Sequence, residues 1–387
     1  MNKQFGLLTL RDLELIGFDL KTMKLEGSDQ GYNERSDVIT QTLDGADLNA
    51  MWDEFQQTID IHNRDRSNLV NMLTYPVQNA VERVRYPAGD EFEEASEFGE
   101  PKGIRLGPSF NLGFDFKWYD LAIRYTWMFL AESTQAQVEA LNNSAIEADN
   151  RLVFSRVMRQ LFTSDTRIAH INEQAVNVYP FYNGDGTVPP AWKNTTHDGD
   201  HDHYLTSGAT TVDSGDLDDM EEHIRHHGYL PQLGYTYVLL VNRAEARTIR
   251  SFRVADGDSF DFIPSIENGS GGVIVNGQVI NQPTGTVPGQ IGTYGPWRIV
   301  EEDYVPGTYM VGFVTGGERS INNPIGVREH QNTGLRGLRL VKGRDNDYPL
   351  VDSFYQHGFG TGVRHRGAGI VMQVTDDASY TAPAAYS

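Results

Sequence analysis

The sequence predicts an α+β protein from which one long two-stranded hairpin extends. Residues 109–118 alternate large apolar and polar side chains, which is typical of a strand with one apolar face. Residues 134–162 carry apolar residues at steps of three and four, which predicts a long helix, called the spine helix below. Residues 273–280 form two short β-rich runs around Asn276-Gly277, a tight hairpin sequence. Long helices and local hairpins in one chain indicate the α+β class.

The alternating strand is the second strand of a hairpin that we predict over residues 77–118. A shorter strand-like run, 81–86, precedes it, and an acidic segment, 88–101, separates the two. The apolar face is carried by Phe110, Leu112, Phe114, Phe116 and Trp118. A face of this size is too large to leave in water, and an extended arm usually finds its cover on another subunit. The hairpin therefore indicates an assembly protein.

The tip of this hairpin is strongly acidic. It has six acidic residues between Asp90 and Glu100, and Lys102 is the first basic residue after them. A solvated loop explains such a composition, and so does docking on a basic patch of a neighbouring subunit. Phe92 and Phe98 interrupt the acidic residues, and this favours docking because aromatic residues are enriched at interfaces.

A cluster of basic residues late in the chain is the predicted counter-surface for that tip. Its members are Arg328, Arg336, Arg339, Lys342 and Arg344, followed further on by Arg364, His365 and Arg366. The alternative is a set of surface ion pairs in an acidic protein, each worth about 0–1 kcal/mol. Among these residues we assign Arg336, Arg339 and Arg344 to the subunit interface.

Composition limits the classes of function. The chain has 387 residues, enough for two or three domains, and a net charge of -21. Such an acidic surface repels nucleic acid and disfavours a sequence-specific DNA or RNA reader, although it suits a wall that encloses DNA. The absence of cysteine excludes disulfides and thiolate metal sites. With no signal-peptide pattern and no run of about 18 apolar residues, we expect cytoplasmic synthesis and no membrane segment.

Other elements are predicted from periodicity and punctuation. A short helix is expected to start at Thr9 in the N-terminal region. We expect helices at 47–62, 214–227 and 242–251 and strands at 235–241, 297–300, 309–314 and 368–374. The predicted buried seam of the spine helix consists of Val138, Leu141, Ala145, Ala148 and Leu152. The glycine-rich run 358–362 lacks the Gly-Lys-Ser/Thr of a phosphate-binding loop, so we expect a bend between strands there.

Six of the eleven histidines lie between His197 and His227, where aspartates are also frequent. Imidazole and carboxylate groups together are ligands for zinc and similar ions. However, His223 and His227 lack the glutamate that zinc hydrolases place directly after the first histidine. A plain polar loop is the favoured interpretation, with a structural metal site and a catalytic metal as alternatives. We assign no catalytic residue, metal or cofactor.

The order of these elements resembles the major capsid proteins of tailed bacteriophages, which have the Hong Kong 97-type fold shared with encapsulins. The resemblance rests on an N-terminal arm, the hairpin, the spine helix, the Asn183–Thr187 turn, a mixed α/β region and a final strand. The late segments 297–314 and 354–374 are similar as well. The resemblance implies an N-terminal arm at 1–76, an E-loop hairpin at 77–118, a peripheral domain with the spine helix at 119–229, an axial domain at 230–345 and C-terminal strands of the peripheral domain at 346–387.

This resemblance implies a structural protein rather than an enzyme. Its copies are expected to form pentamers and hexamers of an icosahedral shell around double-stranded DNA, without reading its sequence. The protein would assemble in the cytoplasm of a bacterial host, with scaffold, portal and decoration proteins as possible partners, and reside in the virion capsid. Some relatives form Lys–Asn cross-links; Lys102 is the lysine near the tip, and no partner for it is matched. An encapsulin-like compartment and a metal-dependent hydrolase built on His197–His227 remain alternatives.

Overall fold

A computed structural model describes most of the chain between residues 40 and 386. The residues outside this set are 1–39, 65–67, 88–93, 95–96, 98, 100–102, 104–105, 124, 172, 194, 266–271, 276–277, 282–286, 288, 344–349, 351–352 and 387. The short helix predicted to start at Thr9 therefore lies outside the described residues. The same holds for four predicted interface residues: Phe92, Phe98, Lys102 and Arg344.

Helices and strands alternate irregularly along the described chain. The helices are α1 (Leu48–Arg64), α2 (Asn68–Leu73), α3 (Trp127–Glu132), α4 (Gln135–Phe162), α5 (Ser214–Arg225) and α6 (Arg243–Ile249). The strands are β1 (Thr74–Val77), β2 (Val81–Pro87), β3 (Leu106–Gly113), β4 (Lys117–Ala122), β5 (Arg167–Ile171), β6 (Gln174–Val178), β7 (Tyr204–Thr206), β8 (Thr236–Val241), β9 (Ile263–Pro264), β10 (Gly272–Val275), β11 (Gln278–Asn281), β12 (Gln290–Tyr294), β13 (Trp297–Glu301), β14 (Tyr309–Thr315), β15 (Ile325–Glu329), β16 (Leu338–Val341), β17 (Phe354–Val363) and β18 (Gly369–Gln373). The α+β class is confirmed, as are the predicted helices from residue 47 onwards. None of the described helices has the length and apolar character of a membrane span.

A seven-stranded mixed sheet forms the centre of the fold, in the order β7-β18-β14-β8-β13-β12-β9. Its apolar strands are buried on both faces because neighbouring residues point to opposite sides. On β8, Val238 and Leu240 pack towards one hydrophobic core, which includes α2 and the second half of α4. Tyr237 and Leu239 pack towards the other, which includes α5 and α6. The sheet joins strands on both sides of the predicted boundaries at 229/230 and 345/346, and these boundaries stay predictions.

The chain divides into two units. The first comprises Met1–Phe55, Ala122–Asn142 and Val341–Phe354, of which residues before 40 lie outside the described set. In this unit the Asp44 carboxylate accepts a hydrogen bond from the backbone N–H of Gln135 at 3.1 Å, which caps the start of α4. The second unit comprises Gln56–Leu121, Asn143–Leu340 and Tyr355–Ser387 and contains the seven-stranded sheet.

The spine helix exists over 28 residues, about 42 Å at 1.5 Å per residue, but its buried face differs from the predicted seam. Leu141 is 36% exposed, whereas Asp149 is 5% exposed. The Asp149 carboxylate accepts hydrogen bonds from His357 Nδ1 at 2.5 Å and His62 Nε2 at 3.1 Å. Because these partners satisfy the buried carboxylate, the helix can turn a polar residue inward. The predicted seam is therefore correct at Val138 and Ala145 and wrong at Leu141, and it omits the buried Asp149.

The hairpin is confirmed at its base. Strands β2 and β3 pair antiparallel from Val81–Gly113 to Pro87–Leu106. However, the single strand predicted over 109–118 is wrong: β3 ends at Gly113, and a separate strand, β4, begins at Lys117 and pairs with β17. The chain therefore leaves the hairpin and joins a second sheet within four residues.

The glycine-rich run 358–362 explains that break. It is the middle of the long strand β17 and not the bend we expected. A Cβ at Gly360 would overlap the carbonyl oxygen of Asp115, and one at Gly362 would lie 2.5 Å from the carbonyl oxygen of Gly113. At Gly358 it would lie 2.5 Å from the Trp118 ring. The three glycines share one face of the strand and let segment 113–118 cross it in backbone contact.

We expect Gly360→Ala to destabilise the protein by at least about 2–3 kcal/mol, because the added methyl group meets backbone atoms that cannot rotate away. Urea unfolding of the unassembled protein measures the change. Gly307→Ala is the matched control, since nothing lies within 4 Å of a Cβ there. Equal stability of the two variants would contradict the backbone crossing.

We expect Asp149→Ala to cost about 3 kcal/mol, because it removes the acceptor from two largely buried imidazoles. The control is Glu147→Ala on the same helix, whose 3.7 Å ion pair with Arg151 is exposed and contributes little. Urea midpoints that fall equally for both variants would show that Asp149 has no special role.

Candidate functional site

The five apolar residues predicted to face another subunit do not share one environment. Leu112 and Phe114 are 2% and 0% exposed within their own chain, and Phe114 packs with Tyr75 and Val77. The expectation that a neighbour covers these two residues is wrong, because both are already buried within their own chain. Phe110 is half-buried, with its ring centroid 4.6 Å from that of Tyr179.

Phe116 and Trp118, in contrast, reach the surface beside basic residues. Their rings meet edge to face at 5.3 Å, and Trp118 is 43% exposed. The Arg328 guanidinium lies 5.3 Å from the Phe116 ring centroid, and the Arg339 guanidinium lies 5.8 Å from that of Trp118. The His330 ring lies 6.1 Å and 5.9 Å from the two aromatic rings. These five residues are called the aromatic–basic patch below.

Hydrogen bonds hold Arg339, one of the two arginines of this patch, in place. Arg339 donates to Gln356 Oε1 and to the carbonyl oxygen of Gly334, and Gln356 Nε2 donates to Asp120 Oδ1 at 2.9 Å. The patch therefore brings together three predicted interface residues: Phe116, Trp118 and Arg339. It combines apolar area with positive charge, which suits an acidic segment that contains aromatic residues.

Two other basic residues of the predicted cluster, Arg336 and Arg366, are bound within their own chain. Arg336 is folded back on its own loop, donating from Nε to His330 O at 2.7 Å and from Nη2 to Gln331 O at 3.0 Å. Arg366 is 2% exposed and forms a 3.0 Å ion pair with Asp185. Burial raises the pKa of Asp185, but the Arg366 charge and hydrogen bonds outweigh this and leave the pKa below its ordinary value. Arg366 therefore holds the Asn183–Thr187 turn and is not a surface contact.

The six histidines between 197 and 227 form a second site, which the polar-loop interpretation missed. The Nε2 atoms of His201, His203 and His227 lie 3.1, 2.9 and 2.9 Å apart in pairs. His226 Nε2 lies 3.3 Å from that of His201. The His197 ring stacks on that of His227, with centroids 4.5 Å apart. Within the described residues, His197, His201, His226 and His227 each offer an imidazole nitrogen within 4.8 Å of the other three, so they are potential ligands for a metal ion.

Local structure positions this histidine cluster. Helix α5 starts with an Asp213–Asp216 capping box, which fixes its phase. His226 caps its end, and Gly228, at a φ of 86°, turns the chain away behind His227. The loop preceding β7 supplies His201 and His203. His203 is fully buried, and its Nδ1 donates to the carbonyl oxygen of Gly369 on β18 at 2.7 Å.

The environment of the cluster lowers the pKa values of four of its histidines. Burial, followed by the neighbouring histidines, lowers the pKa of His201 to about 4 and that of His226 to about 3. The same causes hold the pKa values of His203 and His227 well below the ordinary histidine value. Since charging any of these imidazoles is costly, they are neutral at pH 7 and keep one lone pair each.

Comparison with solved structures identifies the family. The chain is 44% identical to the capsid protein of Mycobacterium phage Patience, with a TM-score of 0.69 over 94% of this chain and 98% of the other. It belongs to the major capsid proteins of tailed phages. Its fold is of the Hong Kong 97 type, as the resemblance implied.

More distant structures also match. The capsid protein of the mature bacteriophage PhiM1 capsid is 12% identical over 80% of this chain and 88% of the other, with a TM-score of 0.46. The capsid protein of an empty GTA particle is 13% identical over 80% of this chain and 91% of the other, with a TM-score of 0.44. No protein-family model matches the capsid protein, and no curated protein matches it either.

The family decides between the alternatives that the sequence left open. A phage capsid protein has a structural role and is located in the virion capsid. The encapsulin-like compartment is not favoured, because the relative at 44% identity is a phage capsid. The hydrolase interpretation has no comparable support, and the histidine cluster of this capsid protein calls for a different explanation.

Proposed function

We propose that this capsid protein forms pentamers and hexamers of an icosahedral shell that encloses double-stranded DNA. The observation that carries the proposal is the match to a phage capsid protein over 94% of the chain. A net charge of -21 suits the inner wall of such a container, because like charges keep packaged DNA from adhering to it. Contacts that are individually weak are sufficient, since a closed lattice repeats each of them many times.

We propose further that the hairpin at 77–118 acts as the E-loop, overlapping an adjacent subunit. Its base is well paired, with Arg83 Nη2 donating to Ser109 Oγ across the strands at 2.7 Å. The acidic residues between Asp90 and Glu100 follow directly after the end of β2 at Pro87. The proposed E-loop therefore combines a two-stranded stem with an acidic sequence between its strands.

The aromatic–basic patch of a neighbouring subunit is the proposed receptor for that tip. Its exposed Trp118 offers apolar area to Phe92 and Phe98, and Arg339 offers charge to the carboxylates. Removal of an arginine from water beside an aromatic ring strengthens its attraction to carboxylates. Each ion pair contributes about 0–1 kcal/mol at an exposed site, so the aromatic contacts are expected to supply most of the affinity.

The remaining assignments follow from family membership as part of the same proposal. Residues 1–76 serve as the N-terminal arm, 119–229 with 346–387 as the peripheral domain, and 230–345 as the axial domain. Assembly takes place in the cytoplasm of a bacterial host. Scaffold, portal and decoration proteins are the expected partners, and all of them bind to surfaces of the assembled lattice rather than to a catalytic pocket.

Replacing residues 88–104 by Asn-Gly tests the arm. Since β2 and β3 face each other up to Pro87 and Leu106, a short turn can close the stem. We expect a folded monomer with a near-native melting temperature but no shells in negative-stain microscopy. Intact particles from this variant would overturn the proposed role of the tip.

Charge reversal tests the patch. We expect Arg339→Glu to reduce particle yield at least about tenfold while the monomer stays folded, because repulsion replaces attraction at every copy of the contact. Lys193→Glu is the matched control, since Lys193 also lies over a tryptophan ring, 5.7 Å from the centroid of Trp192, on a different element.

A combined variant tests whether Arg339 interacts with the acidic tip itself. Combining Arg339→Glu with Glu93→Arg and Glu94→Arg should restore part of the particle yield measured by sedimentation. Rescue by the combined charges supports docking of the tip on the patch. Normal assembly of Arg339→Glu alone, or failure of all combinations to rescue, contradicts it.

A further inference from the structure

The histidine cluster has a hydrogen-bonding problem that protein atoms alone do not solve. The Nε2 atoms of His201, His203 and His227 form a triangle with sides of 3.1, 2.9 and 2.9 Å. In a neutral imidazole each ring nitrogen has one of two roles: it carries a hydrogen and donates, or it has a free lone pair and accepts. Among three such atoms at least two are alike, so at least one side of the triangle joins two donors or two lone pairs. Such a contact is repulsive at this distance.

The tautomer of His203 shows how the conflict is resolved. Its Nδ1 donates to Gly369 O at 2.7 Å, so its Nε2 carries the lone pair and points it into the cluster. A histidine that donates one ring nitrogen to a carbonyl oxygen and directs the other inward is the usual arrangement of a metal ligand and its supporting group. A cation at the centre would turn the repelling lone pairs into ligands.

We propose that His201, His203, His226 and His227 bind a structural zinc ion through their Nε2 atoms. Tetrahedral zinc with Zn–N bonds of about 2.0–2.1 Å places its ligand nitrogens about 3.3 Å apart. Four of the six separations among these Nε2 atoms, at 2.9, 2.9, 3.1 and 3.3 Å, are close to that value.

The ligand set indicates a structural rather than a catalytic metal. Four imidazoles fill the tetrahedral positions, whereas a catalytic zinc keeps one position open for water or substrate. Two ligands come from the loop before β7 and two from the end of α5, so the ion joins segments that are 23 to 26 residues apart in sequence, from His203–His226 to His201–His227. Through His203 it also fixes this junction to β18. Metal binding would therefore add to the stability of the folded subunit.

Metal analysis of untagged protein purified without chelators tests the proposal. We expect about one zinc ion per chain by elemental analysis after dialysis against Zn²⁺. EDTA should lower the melting temperature, and added Zn²⁺ should restore it. Substitution with Co²⁺ should give the intense visible absorption of tetrahedral cobalt. Wild-type protein that binds no stoichiometric Zn²⁺ and shows no such absorption with Co²⁺ overturns the proposal.

Variants locate the site. His201→Ala and His226→Ala remove half-buried ligands and spare the fully buried His203. Each should weaken Zn²⁺ binding at least about tenfold in competition with a chromogenic chelator, since even loss of a group that only supports a ligand costs 10–100-fold. The matched control is His170→Ala, an exposed histidine on β5. If His201→Ala binds Zn²⁺ as tightly as the wild type, the proposed site is wrong. If the variants do not fold, the Co²⁺ spectrum of the wild-type protein decides whether the site exists. All these measurements use unassembled protein, so failure of shell assembly does not affect them.

Discussion

Backbone contact between segment 113–118 and the glycines of β17 is the constraint on which the rest of the hairpin region depends. Gly358, Gly360 and Gly362 present no side chains on the face where the segment crosses. The crossing ends β3 at Gly113, buries Phe114 and starts β4 at Lys117. A strand that ran straight to residue 118 would expose its whole apolar face. The glycine face therefore determines which of the aromatic residues are buried and which stay exposed.

Sequence periodicity predicted the elements better than their environments. Helix α4 was predictable because its apolar spacing and its Thr134–Gln137 start are local features, and Gln137 Oε1 does accept from the Thr134 N–H at 2.9 Å. The polar part of its buried face was not predictable, because the inward position of Asp149 depends on His62 and His357, which are distant in sequence. The alternation at 109–118 failed for a similar reason: the partner strand that interrupts it begins more than 230 residues later, at Phe354.

The histidine cluster shows what a motif search leaves out. No zinc-hydrolase pattern is present, and the flanking residues read as a flexible loop. Two local signals were nevertheless available. His201 and His203 are separated by a single residue. His226 and His227 follow the end of a helix whose start is fixed by Asp213. What the sequence could not provide was the closure of the loop on the helix end. The hydrogen bond from His203 to Gly369 holds the loop against β18, and that bond requires the folded sheet.

The two proposed sites would both make the subunit more rigid for assembly into a lattice. Trp118 lies against Gly358 on one side and remains 43% exposed on the other, while Gln356 orients Arg339 beside it. Such a surface is already ordered before assembly, so binding costs little side-chain entropy. The proposed zinc ion would act in the same direction inside the subunit, because it would fix the junction of a loop, a helix end and a sheet edge. A rigid subunit transmits load to its neighbours instead of deforming, and modest contacts can then add up over a closed shell.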